Sequence, residues 1–195
     1  MKKPELLSPA GDLPSLIAAI KAGADAIYFG IDELNMRMNA KNFKLNELSK
    51  IVNLCHKNHV KAYLTLNTII YDEEIKRIKK ILDQAKKYDI DGIIAWDLSV
   101  INEAKKRKIP IHLSTQASVS NTESARFFKK LGVKRIVLAR ELSLEQIKKI
   151  KRNLPKLEIE CFIHGLKPYP SCAKKQGNPV FAETFQIFHP GFASH

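Results

Sequence analysis

From Glu5 to His164 the chain alternates short apolar runs with longer stretches in which apolar residues recur at helical spacing and lysine fills many of the remaining positions. The short runs predict strands at Glu5 to Leu7, Ala26 to Phe29, Lys61 to Leu66, Gly92 to Ala95, Ile111 to Leu113, Arg135 to Leu138 and Leu157 to Ile163. Helices are predicted from Leu13 to Ala22, through Leu45, Leu48, Ile51, Val52 and Cys55, and through Ile75, Ile78, Leu82 and Ala85. Three more are predicted at Leu98 to Arg107, Thr122 to Leu131 and Leu144 to Arg152. The punctuation agrees: Asp12 can cap the first helix, Pro14 sits where a first-turn proline is tolerated, Gly23 stops that helix, and Ser143 with Gln146 reads as a capping box.

Strands joined by helices form a parallel sheet, because each crossover returns the chain to the same end. No Gly-x-Gly-x-x-Gly follows the first strand and no phosphate-binding lysine loop occurs, which disfavours the open nucleotide-binding sheets. The fold class is therefore α/β, an incomplete TIM-type (β/α) barrel of about seven parallel strands with alternating helices. A complete barrel takes about 250 residues, and this chain has 195. Residues 1–164 are assigned to the barrel. The remainder, 165–195, is expected to be an irregular tail: Leu166 to His195 holds four of the nine prolines, one Leu and one Ile. A chain lacking its eighth unit would carry two unpaired strand edges, an invitation to self-association.

The hydrophobic content of 45% and charged content of 27% suit one packed domain. No apolar run reaches the roughly 20 residues needed to cross a bilayer, so no membrane partner is expected. The N-terminus breaks too soon for a signal-peptide core, and three cysteines are too few for a disulfide scaffold; together these point to the cytoplasm. The formal charge of +13 suits a polyanionic partner such as RNA. Position weighs against that reading, since Lys76, Arg77, Lys79, Lys80, Lys105, Lys106, Arg107, Lys108, Lys148, Lys149, Lys151 and Arg152 all fall in or beside predicted helices, whose outer faces are solvated in a barrel.

In such barrels the site is built where strands end. The polar residues there are Ser8 and Asp12, then Arg37 and Asn42, then Asn67, Asp97, the run Ser114, Thr115, Gln116 and Ser118 with Asn121, then Arg140 with Glu141, and finally His164. Several have structural alternatives: Asp12 and Asn121 as helix caps, Arg140 with Glu141 as an ion pair, His112 as a core hydrogen-bonding group. Gln116 resists such an explanation, because a polar run directly after a buried strand has no packing use. No His-Glu-x-x-His helix, Gly-x-Ser-x-Gly elbow or activated cysteine setting is present.

Several segments together resemble peptidase family U32, the collagenase-like peptidases. They are Glu5-Leu-Leu-Ser-Pro-Ala-Gly-Asp12, Ala22-Gly-Ala-Asp-Ala-Ile-Tyr-Phe-Gly30, Arg37 through Asn42-Phe43, Thr65-Leu-Asn67, His112-Leu-Ser-Thr-Gln-Ala-Ser118 with Asn121, Lys134-Arg-Ile-Val-Leu-Ala-Arg-Glu-Leu-Ser143 and Phe162-Ile-His-Gly165. The resemblance implies a barrel domain and either proteolysis or oxygen-independent hydroxylation of tRNA, of rRNA or of a ubiquinone precursor. For the hydroxylation proteins it also implies an iron–sulfur cluster, with prephenate linked to the RNA enzymes.

Within that resemblance Gln116, Arg140, Glu141 and His164 are the catalytic candidates, and Arg37, Asn42, Asn67, Ser114 and Asn121 the substrate-binding ones. No metal ligand is assigned. Relatives continue beyond the His-Gly step with a cysteine-bearing, cluster-binding segment, whereas this chain continues Leu166-Lys-Pro-Tyr-Pro-Ser-Cys172. No cofactor is therefore expected in this chain. A frameshift or early stop accounts for both the lost cysteines and the altered tail, and the chain is then an inactive hydroxylation protein. A peptidase and a non-catalytic RNA- or partner-binding remnant are the alternatives.

Overall fold

The computed structural model describes residues 4–32, 34, 42–164 and 184–188; of 163, 164 and 184–188 it describes the backbone alone. Seven parallel strands alternate with helices, as the sequence predicts. In chain order the elements are β1 (Glu5–Pro9), α1 (Leu13–Lys21), β2 (Ala26–Gly30), α2 (Leu48–Lys57), β3 (Lys61–Thr65), α3 (Ile75–Lys87), β4 (Gly92–Ala95) and α4 (Leu98–Lys106). They continue with β5 (Ile111–Leu113), α5 (Thr122–Lys130), β6 (Arg135–Val137), α6 (Leu144–Asn153) and β7 (Glu158–His164). Each strand pairs in parallel with the next.

One expectation is corrected. The tail is not wholly irregular: Thr184–Phe188 forms an eighth strand, β8, antiparallel to both β7 and β1, and so closes the barrel. The segment Thr184-Phe-Gln-Ile-Phe188 is too short for its alternation to stand out within a proline-rich tail. Lacking a preceding crossover helix in the described residues, it enters the gap in the opposite direction to its neighbours. The edges of β1 and β7 are thereby paired, which removes the ground for edge-to-edge self-association.

The repeating unit has a repeating stop. Five helices end in a residue with positive φ: Gly23, His59, Asp89, Lys108 and Gly132. In each case this residue and the next turn their N–H groups back onto the helix, as when Gly23 donates to Ile20 and Ala24 to Ala19. The next residue is an apolar one that is buried, namely Ala24, Val60, Ile90, Ile109 or Val133. This is the Schellman arrangement, which satisfies the last carbonyls and turns the chain toward its strand. At the other end, Asp12, Asp97, Asn121 and Ser143 cap α1, α4, α5 and α6.

Most of the apolar core lies between sheet and helices, with Leu16, Ile51, Leu64, Leu82, Ile93, Ile101 and Ile136 among its members. Inside the barrel a second, smaller cluster joins Leu7, Ala26, Tyr28, Tyr63, Ile94 and Val137. Below it, at the N-terminal ends of the strands, the interior is ionic. Arg135, 1% exposed, bonds Glu5 at 3.0 Å and Glu158 at 2.8 and 2.9 Å, and stands 3.8 Å from Glu160. Lys61 reaches Glu5 at 2.5 Å, and the Tyr63 hydroxyl donates to Glu5 at 2.8 Å.

Burial alone would raise the Glu5 carboxyl, but Arg135 and the bonds from Lys61 and Tyr63 hold it below its ordinary value. Glu160 fares differently. Burial, with Glu5 and Glu158 adding like charge, pushes it up to about 7 against the pull of Arg135. His112 packs edge-on to Tyr63 with ring centroids 4.5 Å apart. The expected core hydrogen bond is corrected at one nitrogen, because Nδ1 is buried without a partner. Burial, then Arg135, Lys134 and Lys61, drive its pKa well below the usual histidine value. Gly92 makes room for this ring, since a Cβ there would lie 3.1 Å from two of its atoms.

Candidate functional site

At the opposite, C-terminal ends of the strands, three consecutive strand ends bring polar groups together. The ladder runs past the strands proper: the Leu66 N–H donates to Ile94 and the Ser114 N–H to Ala95, each at 2.8 Å. That holds Asn67, Trp96 and Ser114 side by side. The Asn67 amide donates to Ser114 Oγ at 3.5 Å and to Gln116 Oε1 at 3.4 Å, and the Ser114 hydroxyl donates to Gln116. Trp96 Nε1 donates to the Asn67 carbonyl at 3.0 Å. Ser114 is buried, while Asn67, Trp96 and Gln116 are half-buried.

The loop carrying Gln116 is tightly wound. Thr115–Ala117 forms a single 3₁₀ turn, closed by Ser118 in the left-handed region at φ 49°. Residues other than glycine pay for that conformation, and it recurs at functional loops. Val119 then accepts from the Ala139 N–H at 3.0 Å, and Thr115 Oγ1 donates to the Leu138 carbonyl at 3.4 Å, fixing this loop to the one that carries Arg140. The Arg140 guanidinium lies 3.9 Å from the centre of the Phe162 ring. Such stacking presents a planar cation with its donors aligned.

The other sequence candidates are placed as follows. Asn42 is half-buried beside Phe43, which meets Ile31 in a parallel bridge just beyond β2. Asn121 is exposed and its Oδ1 accepts from the Ser124 N–H at 2.9 Å, a cap on α5. Asp12 and Asp97 are caps likewise. Glu141 is exposed. His164 ends β7, and its side chain, like Arg37 as a whole, lies outside the described residues.

Residue-by-residue reading missed Trp96 and Phe162, and also the hydroxyls of Thr65 and Thr68, which are buried here without hydrogen-bond partners. A lone tryptophan one residue past a strand was the available signal.

The residues described do not fit an iron–sulfur cluster. Such clusters are generally held by four cysteine thiolates, and the chain has three cysteines. Cys55 is sealed on the buried face of α2, and Cys161 sits in β7 packed against the outer core. Burial, with a nearby carboxylate, pushes both thiols up to about 12. Cys172 lies outside the described residues.

The neutral hydrogen-bonding trio and the stacked arginine thus lie at the C-terminal face of a (β/α) barrel, the face where barrel enzymes build their sites. The chain belongs to peptidase family U32, whose profile matches residues 11–176. It is 46% identical over 165 residues to an uncharacterized protease of Methanocaldococcus jannaschii, covering 83% of this chain and 40% of the relative. It is 43% identical to a collagenase of Porphyromonas gingivalis, covering 83% and 41%. It is 42% identical to tRNA hydroxylation protein P of Helicobacter pylori, covering 85% and 40%. The chain thus spans about two fifths of the length of these relatives.

Proposed function

We propose that this chain supplies the substrate-binding barrel of an RNA-hydroxylation protein acting on tRNA or rRNA. The observation that carries the reading is the trio Asn67, Ser114 and Gln116, which pairs donors and acceptors on one another while remaining within reach of solvent at two of its members. Such amides exchange their mutual bonds for those of a neutral polar ligand at little cost, because no buried group is left unpaired.

In this reading Asn67, Ser114 and Gln116 orient the substrate, and Arg140, stacked on Phe162, holds an anionic group beside it. Arg37, Asn42 and Asn121 complete substrate binding, with Glu141 and His164 as further catalytic candidates. The relative named tRNA hydroxylation protein P, at 42% identity, supports the RNA substrate class. A cytoplasmic location belongs to the same proposal.

The peptidase reading has one specific observation in its favour, the relative named collagenase. The chemistry of the described residues gives it little: the two thiols are held protonated, and His112 faces the barrel interior rather than Ser114's end of it. Nucleosides from tRNA and rRNA of cells with and without the gene, separated by mass, decide between them. A nucleoside with one added oxygen that disappears on deletion supports the proposal. Unchanged nucleosides, together with gelatin cleavage by the purified protein, would sink it.

A further inference from the structure

The alternation that places the site at one pole of the barrel also separates charge along its axis. Acidic residues gather where helices begin, at Asp72, Glu73 and Glu74 ahead of α3, Glu123 in α5 and Glu145 in α6. Every one of the six helices described has a basic residue in its last turn. The helix dipole explains part of this, since its negative end favours cations there. It does not explain Lys108, Lys134 and Lys156, which lie beyond the helices in the turns that lead into β5, β6 and β7.

Those three strands are consecutive neighbours in the sheet, and adjacent strands are about 4.8 Å apart. All three lysines are exposed. The ends of the helices close in on the same ground: Lys105 Cε stands 3.5 Å from the position a Cβ would take on Gly132, so α4 ends against the turn between α5 and β6. Lys130 and Arg152 are exposed at the ends of α5 and α6.

Counter-charge is scarce here. Glu103 is engaged by Lys106 and Arg107, and Glu158 by Arg135, leaving Lys134 3.8 Å from the latter's other oxygen. Among the described residues Lys105, Lys108, Lys130, Arg152 and Lys156 form no ion pair. One cation of the sequence-level basic runs is excluded: Lys151 is buried, and its ammonium donates to the Leu157 carbonyl at 2.7 Å.

We propose that this basic pole, at the N-terminal ends of β5 to β7 and the C-terminal ends of α4 to α6, is a docking surface for the phosphate backbone of RNA. It lies at the opposite end of the barrel from the candidate site. The proposal rests on the RNA reading above. A cluster of like charges lacking counter-ions repels itself, and a polyanion relieves that repulsion with release of its own counter-ions. Contacts of this kind position an RNA without reading its sequence.

The test is fluorescence anisotropy of labelled unfractionated tRNA with this chain, between about 50 and 200 mM salt. Lys108→Ala/Lys134→Ala/Lys156→Ala is compared with Lys76→Ala/Arg77→Ala/Lys80→Ala on α3, which removes equal charge from exposed positions nearer the start of a helix. A second triple, Lys105→Ala/Lys108→Ala/Lys156→Ala, keeps the Lys134 contact to Glu158 and guards against a folding defect.

Removing three phosphate contacts lowers the slope of log affinity against log salt by about 2–3. Both pole variants should show that loss and weaken binding at least tenfold, while the α3 variant stays near wild type. Pole variants that keep wild-type affinity and slope, or an α3 variant that loses as much, would overturn the proposal and leave the RNA reading standing. A wild-type chain that binds no tRNA at any of these salt concentrations would remove the RNA reading and this proposal with it.

Discussion

Replacing Glu160 by Gln should change how stability depends on pH more than it changes stability itself at low pH. Glu160 is 1% exposed, one of its oxygens has no hydrogen-bond partner, and its pKa rises from 4.5 to about 7. Because the folded value exceeds the unfolded one, its contribution to stability is full below about pH 4.5 and is lost as pH rises through about 7. At about 1.4 kcal/mol per pH unit, the loss totals about 3 kcal/mol.

His112 works in the other direction. Its folded pKa lies well below 6.5, so its contribution is full above about 6.5 and is lost as pH falls. Between about pH 4.5 and 6.5 the two slopes oppose each other in the wild type. Glu160→Gln removes one of them and leaves the neutral shape in place. Urea unfolding of both proteins from pH 5 to 8 should therefore show a stability advantage of the variant that grows by about 1.4 kcal/mol per pH unit and levels off above about 7. Titrating groups that do not interact with Glu160 cancel in the difference. A difference independent of pH would refute the assignment of a buried, protonated Glu160.

Gly92→Ala should destabilise the protein by about 1–3 kcal/mol, read from thermal or urea unfolding, because the added methyl meets the His112 ring at 3.1 Å and Tyr63 at 3.3 Å. Arg135→Met should cost about 3–5 kcal/mol at pH 7 by the same measurement, since it strips the counter-charge from Glu5 and Glu158; a near-neutral effect would mean that the interior network is not ionic. Cys55 and Cys161 should resist alkylation at pH 8 in the folded protein and react once it is unfolded in urea, with the sites assigned by mass spectrometry.

The parallel part of the fold was legible because each unit carries its own start and stop. Asp12, Asn121 and Ser143 open helices and Gly23 closes one, so strand positions followed from what lay between. His59, Asp89 and Lys108 perform the same stop without glycine, which only the structure reveals. β8 was not legible, because its pairing with β7 and β1 depends on a gap that exists only once seven strands have curled.

The trio at the C-terminal face was half legible. Strand-end position pointed to Asn67, Ser114 and Gln116, but their bonds to one another depend on the register of β3, β4 and β5. The ionic interior was overlooked although its pattern is in the strands themselves: Lys61 and Tyr63, Glu158 and Glu160 sit two residues apart and hence on one face.

The central claim is that the Asn67, Ser114 and Gln116 trio binds the substrate of an RNA-hydroxylation protein. The most direct test is the hydroxylated nucleoside content of tRNA and rRNA from cells whose own gene is deleted, supplied with wild type, Asn67→Ala or Gln116→Ala. Half-buried and outside the core, these substitutions should leave the fold intact by circular dichroism. The account predicts restoration by wild type and a loss of at least tenfold in both variants; full restoration by the two folded variants would contradict it.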